Sequence, residues 1–390
     1  MQFDFDQPVV RENTDSVKYD LREKIFGKED VIPMWVADMD FRVPPAVSQA
    51  IKDRAAHEIY GYSIRPESFY DSAISWMERR HGWRVSRQWL TFTPGIVPGV
   101  NLAIMAMTAP GDKIMIQPPV YFPFFDAIKK NNRQLVENRL MLKNGRYYVD
   151  LEDFERQLQE GVRMFILSNP HNPGGMAWTR QELEDMGNLC LQYGARIIAD
   201  EIHCDIVFAG YQYTPMASIS EEIASQTITF IAPSKTFNIA GLSTSVGIIS
   251  ESYLRQEFNK MLDRIHINHG NIFGTVALQA AYNHGEEWLN QLMAYLEENL
   301  NLIEHYIQER LKGIKLVRPE GTYLAWLDCR ELPVENNRIQ RFMIEQAGVG
   351  LNDGAFFGEN GQGFQRLNFG CPRSTVHKVL DNMDRAIRNI

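Results

Sequence analysis

From about residue 88 to residue 250 the chain alternates short apolar runs with amphipathic stretches. Seven runs read as strands: WLTFT (89–93), KIMIQ (113–117), QLVEN (134–138), RMFIL (163–167), ARIIA (195–199), TITFI (227–231) and SVGII (245–249). Each is short and nearly continuous in apolar residues, as strands buried on both faces are. Between several of them, at 97–108, 121–131 and 179–192, apolar residues recur at helical spacing. Strand–helix alternation of this kind predicts an α/β fold, with a mostly parallel seven-stranded sheet sandwiched by helices.

After residue 285 the pattern changes. Trp288, Leu292, Leu296, Leu300, Ile303, Ile307 and Leu311 recur at three- and four-residue steps, which predicts one long amphipathic helix. Strand-like runs follow at 314–318, 322–328 and 364–369, with helices near 338–347 and 374–389. This reads as a second, smaller α+β unit. Residues 1–45 have no place in the alternation and are expected to join it. The predicted division is a large domain over 46–285 and a small domain made from 1–45 and 286–390.

Bulk properties narrow the function classes. A chain of 390 residues is long for one simple core, and 44 % hydrophobic with 23 % charged residues is ordinary for a globular protein. A net charge of −9, with no lysine/arginine block, argues against nucleic acid as a partner. The opening MQFDFDQPVV is acidic where a signal peptide is basic, and no apolar run reaches membrane-spanning length. Cys190, Cys204, Cys329 and Cys371 show no C-x-x-C spacing, so reduced thiols in a cytoplasmic protein are expected and zinc is not.

Candidate chemistry sits where strands end. Lys235, in IAPSKTFNIAG (231–241), lies between an apolar run and a glycine-containing turn, a poor place for packing but suited to an amine that forms a Schiff base. Asp200 ends ARIIA; a helix N-cap or ion pair is one reading, a carboxylate holding a ring nitrogen protonated is the other. His203 could reach the same ligand or be structural, and the trio Asp200, Glu201, His203 lacks the second cluster a metal site would need. Asn172, in NPHNPGG, is either part of a rigid turn or an amide donor presented by one. TPGIVPGV (93–100) joins a strand to a helix, where free N–H groups can bind phosphate. Tyr121, in QPPVYFPFF, suits either the core or a stack on a planar ring. Arg366 is a lone charge in the apolar run FQRLNFG and calls for a carboxylate, from the protein or from a substrate.

Taken in this order, the segments resemble fold-type I pyridoxal-phosphate enzymes, the aspartate-aminotransferase superfamily, over essentially the whole chain. NPHNPGG resembles that family's N-P-x-N-P-T-G loop, ADEIH its D-E-x-Y segment and APSKTFNIAG its S-x-S-K-T segment; FQRLNFG is similar to its carboxylate-binding strand. The resemblance implies pyridoxal 5'-phosphate as cofactor, carried by Lys235, which then shuttles protons. It implies Asp200 on the ring nitrogen, Asn172 on the ring hydroxyl, Tyr121 stacked on the ring beside the substrate, and His203 nearby. Gly95, Ile96 and Val97, with the Ser234 hydroxyl, would hold the phosphate, and Arg366 the substrate carboxylate. GYS (61–63) is similar to the segment whose tyrosine, here Tyr62, reaches the cofactor phosphate of the other subunit, which implies a homodimer with shared sites.

Departures from that pattern point to a branch. His203 stands where a tyrosine is usual, Ala232 replaces a common serine, and the arginine expected after the lysine is absent, with Ser243 near its place. With WVADMDF (35–41), SKTFNIAGL and RLNFGCPR (366–373), these features resemble the cystathionine β-lyase or cysteine-conjugate C–S lyase branch. The implied activity is α,β-elimination of L-cystathionine or related cysteine S-conjugates to a thiol, pyruvate and ammonia. The alternative is an aminotransferase moving an amino group to a 2-oxo acid. A binding protein that had abandoned catalysis would have lost Lys235, Asp200 or Arg366, and all three are present.

Overall fold

The computed structural model of the chain describes residues 2–390. The seven central strands are β1 (Leu90–Thr93), β2 (Lys113–Ile116), β3 (Gln134–Glu137), β4 (Val162–Ser168), β5 (Arg196–Asp200), β6 (Thr227–Ile231) and β7 (Ser245–Ile248). They form one sheet in the order β1-β7-β6-β5-β4-β2-β3. Pairing is parallel from β3 through β6, while β7 runs antiparallel to both β6 and β1. The sheet is the mostly parallel one that the apolar runs predict.

Side-chain alternation along these strands feeds two separate cores. Met115, Phe165, Leu167, Ile197 and Ala199 face one cluster, which includes Trp178 and Leu183 of the covering segments. Their neighbours Ile114, Ile116, Met164, Ile166 and Ile198 face the other, with Phe258 and Leu262. Burial on both faces is why the strands carry no polar alternation.

A second, antiparallel sheet holds β8 (Lys315–Val317), β9 (Leu324–Asp328), β10 (Asn352–Asp353) and β11 (Phe364–Asn368), in the order β8-β9-β11-β10. The long helix spans Glu286–Arg310 and buries the expected seam, including Trp288, Leu292, Leu296, Leu300 and Ile303. Near the N-terminus, Ile32–Pro33 pairs in parallel with Val349–Gly350, and the Asn368 N–H donates to Met34 O at 2.9 Å.

Some elements are absent from the sequence expectation. A hairpin, Met141–Lys143 with Arg146–Tyr148, turns on Asn144 and Gly145, both at positive φ. The helix Ile272–His284 buries Ala277, Leu278, Ala280, Ala281 and Tyr282, so it has apolar contact on several sides and shows no clean stripe. Among the described residues no helix is long and apolar enough to cross a membrane. All four cysteines are buried and unbridged.

The loop after β4 is tied down by one glycine. Gly175 has φ +74°, and a Cβ there would lie 2.4 Å from Pro319 Cβ. Its carbonyl accepts from the N–H groups of Glu320 and Gly321, both at 2.9 Å. Gly175→Ala is therefore expected to lower stability by about 2–3 kcal/mol through overpacking and backbone strain, read as a fall in the urea midpoint at unchanged slope.

Candidate active site

Five strand ends meet at the carboxyl edge of the large sheet. β5 ends at Asp200, whose carbonyl accepts from the Asn169 N–H at 2.9 Å and so fastens the loop that follows β4. In that loop His171 N–H bonds Met176 O at 2.8 Å, and Asn172 N–H bonds Ser168 Oγ at 3.2 Å. β6 runs into a single helical turn, Pro233–Thr236, which carries Ser234 and Lys235. β1 leads through Gly95 into the helix Ile96–Met107, and β2 leads to Tyr121. Gly95 adopts φ 151° and ψ 161°, a backbone region essentially reserved for glycine. The doubly wound arrangement thus gathers residues distant in sequence at one edge.

A cleft of ≈ 200 Å³ opens there. Gly95, Ile96 and Val97 form one end of its lining, with the hydroxyl residues Ser234, Ser243 and Thr244. Tyr121, Asn172, Asp200, His203 and Lys235 form the rest of the expected set. Arg366, on β11, reaches the same place through Asn172: its Nη1 donates to Asn172 Oδ1 at 2.9 Å. Tyr62 is elsewhere, wholly exposed at 105 % in the extended segment that precedes the helix Glu67–His81.

Burial shifts the titratable groups of this cleft. Burial pushes the Asp200 carboxyl up to about 7, against the Ile202 N–H and the Lys235 charge, which favour ionisation. Burial pulls the Lys235 amine down to about 8, with Asp38 and Asp200 opposing and Arg366 assisting. Arg366 is lowered to about 10 by burial. Its hydrogen-bond acceptors are all neutral: Asn172 Oδ1, Trp35 O at 2.9 Å and Asn352 Oδ1 at 2.6 Å. Between the two carboxylate sources open in the sequence, the protein itself supplies none at ion-pair distance among the described residues.

The donor set fits pyridoxal phosphate. The first backbone bond of the helix Ile96–Met107 runs from Gly99 N–H to Gly95 O at 3.0 Å, and Pro98 has no N–H, which leaves Ile96 and Val97 N–H for an anion. Among the described residues Asp200 has no cation at ion-pair distance, and a protonated ring nitrogen would provide one. His203 Nδ1 and Arg366 Nε are buried without partners among the described residues. Burial, Lys235 and Arg366 all lower His203, so its ring is neutral.

The trio Asp200, Glu201, His203 does not converge. Glu201 accepts from Tyr213 Oη and from Met216 N–H, the latter at 2.8 Å. Among the described residues the one cluster at metal-ligand spacing is His81, Cys204 and Asp205. There Asp205 already accepts from Trp76 Nε1 at 2.9 Å, His81 Nε2 at 2.7 Å and Thr236 Oγ1 at 2.7 Å. Sequence reasoning missed Trp35, Ala37 and Asp38, although two aspartates inside the apolar run WVADMDF were the available signal. The Ala37 carbonyl accepts from Lys235 Nζ.

Comparison with known proteins gives a consistent picture. The profile of the family described as aminotransferase class I and II matches residues 29–383. The cystathionine beta-lyase PatB of Bacillus subtilis is 41 % identical over 384 residues, covering 98 % of this chain and 99 % of that one. Cystalysin from Treponema denticola, whose crystal structure contains a pyridoxal 5'-phosphate cofactor, superposes with a TM-score of 0.96 at 33 % identity over 100 % of both chains. The PLP-bound C-S lyase from Staphylococcus hominis gives 0.93 at 32 % identity, over 99 % of this chain and 98 % of that one.

The low position of Lys235 is measurable without any ligand. Peptide-resolved acetylation of the cofactor-free protein is expected to show Lys235 becoming reactive with a midpoint near pH 8, against an ordinary lysine value of about 10.4. The unfolded chain holds that proton more tightly. Lys235 therefore costs stability below about 8, and the cost fades as pH rises toward the unfolded value.

Proposed function

The chain belongs to the class I and II aminotransferase family, and we propose that it acts within it as a carbon–sulfur lyase. The reaction is pyridoxal-phosphate-dependent α,β-elimination of L-cystathionine or related cysteine S-conjugates to a thiol, pyruvate and ammonia. The observation that carries this reading is a partly neutralised amine, Lys235, beside a buried guanidinium, Arg366, whose protein partners are all neutral. That pair matches an amino-acid substrate, which needs a base at Cα and a clamp for its carboxylate. The resemblance to cystathionine and C–S lyases supports sulfur as the leaving atom.

Pyridoxal phosphate, when bound, supplies an aldehyde carbon for the substrate amine and a conjugated ring that draws electron density from Cα. Asp200 would hold the ring nitrogen protonated, and Asn172 would donate to the ring hydroxyl oxygen while its Oδ1 stays on Arg366. Ile96 and Val97 N–H, with the Ser234 hydroxyl, would hold the phosphate, and Tyr121 would cover the ring. Arg366 grips the substrate α-carboxylate through its guanidinium. Lys235 Nζ takes the Cα proton. The Cβ–S bond breaks with its electron pair on sulfur, and the remaining three-carbon enamine takes up water to give pyruvate and ammonia.

The same reading divides the chain into a large unit over 46–285 and a small one from both ends. The four buried, unbridged thiols support a reducing, cytoplasmic setting. It also makes the enzyme a homodimer. Ile59, Tyr60, Tyr62 and Ile64 are 58–105 % exposed in one extended segment, a strongly apolar surface that a second copy would cover. From there Tyr62 would reach the partner's cofactor phosphate.

Two outcomes are expected. Protein loaded with pyridoxal phosphate should release pyruvate continuously from L-cystathionine with no keto acid added, and Lys235→Ala should lower kcat about 10²–10⁴-fold. Conversion that requires a 2-oxo acid acceptor would make the protein an aminotransferase instead. Light scattering should give twice 44.9 kDa, and Tyr62→Phe should weaken cofactor retention by about 1.5–3 kcal/mol. A monomer that retains the cofactor fully would rule out shared sites.

A further inference from the structure

One segment outside both sheets touches both cations of the site. Residues 34–41, MWVADMDF, run past the cleft without helix or strand. Ala37 O accepts from Lys235 Nζ and from Tyr323 Oη, the latter at 3.0 Å, while Trp35 O accepts from Arg366 Nη2 at 2.9 Å. Asn368 Nδ2 holds Val36 O and Asp38 O, each at 2.6 Å, and Asn238 Nδ2 holds Met39 O at 2.8 Å. Every carbonyl from Trp35 to Met39 is thus engaged.

The outer anchors of this strap are ionic. Arg11 meets Asp38 in a bidentate pair at 3.0 and 2.7 Å and also reaches Asp40 Oδ1 at 2.7 Å. Lys18, with no exposed surface, donates to Asp40 Oδ2 at 2.8 Å. Two cations facing two carboxylates in a mostly buried place are an expensive way to gain stability, since desolvation offsets most of the attraction. A positional role accounts for them better.

We propose that Asp38 is a positioning residue for Lys235: clamped by Arg11, it fixes the Ala37 carbonyl on the lysine amine and sets a negative charge beside it. The proposal rests on the reading of Lys235 as the proton carrier. The charged groups facing the amine come from three elements. Asp38 on the strap and Asp200 on β5 favour the ammonium, Asp38 more strongly; Arg366 on β11 opposes it, and His203 is neutral. Asp38 is therefore the main counterweight to burial, and the strap ties it to Arg366 through Trp35.

The test uses cofactor-free protein, so it stands apart from any result on lyase turnover. Peptide-resolved acetylation against pH should show the Lys235 midpoint falling by about one unit in Asp38→Asn, with Asp38→Glu restoring it. Arg11→Gln, which releases the clamp and frees Asp38 to leave the amine, should also move the midpoint downward. An unchanged midpoint in folded Asp38→Asn protein overturns the proposal. Should that variant not fold, an unchanged midpoint in Arg11→Gln overturns it equally.

Discussion

Asp200, Lys235 and Arg366 are held around one buried cleft with no ion pair among them, and most of the architecture follows from that constraint. Unpaired buried charges are costly, and side chains free to move would pair or reach water. Each is instead fixed by an element that cannot yield. Asp200 ends a strand paired on both sides, Lys235 sits in a one-turn helix tied back through Thr236 to Asp205, and Arg366 lies inside β11 between β9 and β10. The two cores flanking the large sheet supply the apolar burial that offsets this cost.

How much of this the sequence discloses depends on what each residue contributes. The seven central strands were legible because burial on both faces leaves nearly unbroken apolar runs, and the seam of Glu286–Arg310 because one face alone is buried. The helix Ile272–His284 was not, because it packs on several sides and loses its period. Lys235, Asp200 and Asn172 stood out as polar residues that end apolar runs. Ala37 could not, because it acts through a backbone carbonyl that every residue type possesses. Neighbours in sequence also part company: Glu201 turns to Tyr213 and Met216, whereas Asp200 and His203 face the cleft. Tyr62 is a different case, since the role inferred for it needs a second chain.

Under the proposed roles, the small sheet and the strap would join substrate recognition to the chemistry. Asn172 accepts from Arg366 through Oδ1 and lines the cleft, so Arg366, proposed as the carboxylate clamp, and the loop after β4 share one amide. The strap adds a second bridge, with Trp35 on Arg366 and Ala37 on Lys235 separated by a single residue. Both cations are thus coupled by hydrogen bonds to one short stretch of backbone. That coupling suits an enzyme whose base must be aligned with the Cα of a substrate gripped elsewhere.

The proton inventory of the cleft bears on which bond can break. Lys235, near pH 8, can take a proton from Cα and return it near neutrality, so the amine alone commits the reaction to neither elimination nor transamination. The leaving group then decides. Burial, with the Lys235 and Arg366 charges, lowers His203, and burial raises Tyr121, which leaves Lys235 as the group that both takes a proton and can return one. An alkoxide or amide leaving from Cβ would need a proton as it departs. A thiolate does not, because thiols ionise at about 8.5 and sulfur departs as the anion. The amine of Lys235, with Arg366 proposed as the carboxylate clamp, therefore suits a leaving group that departs as its own anion.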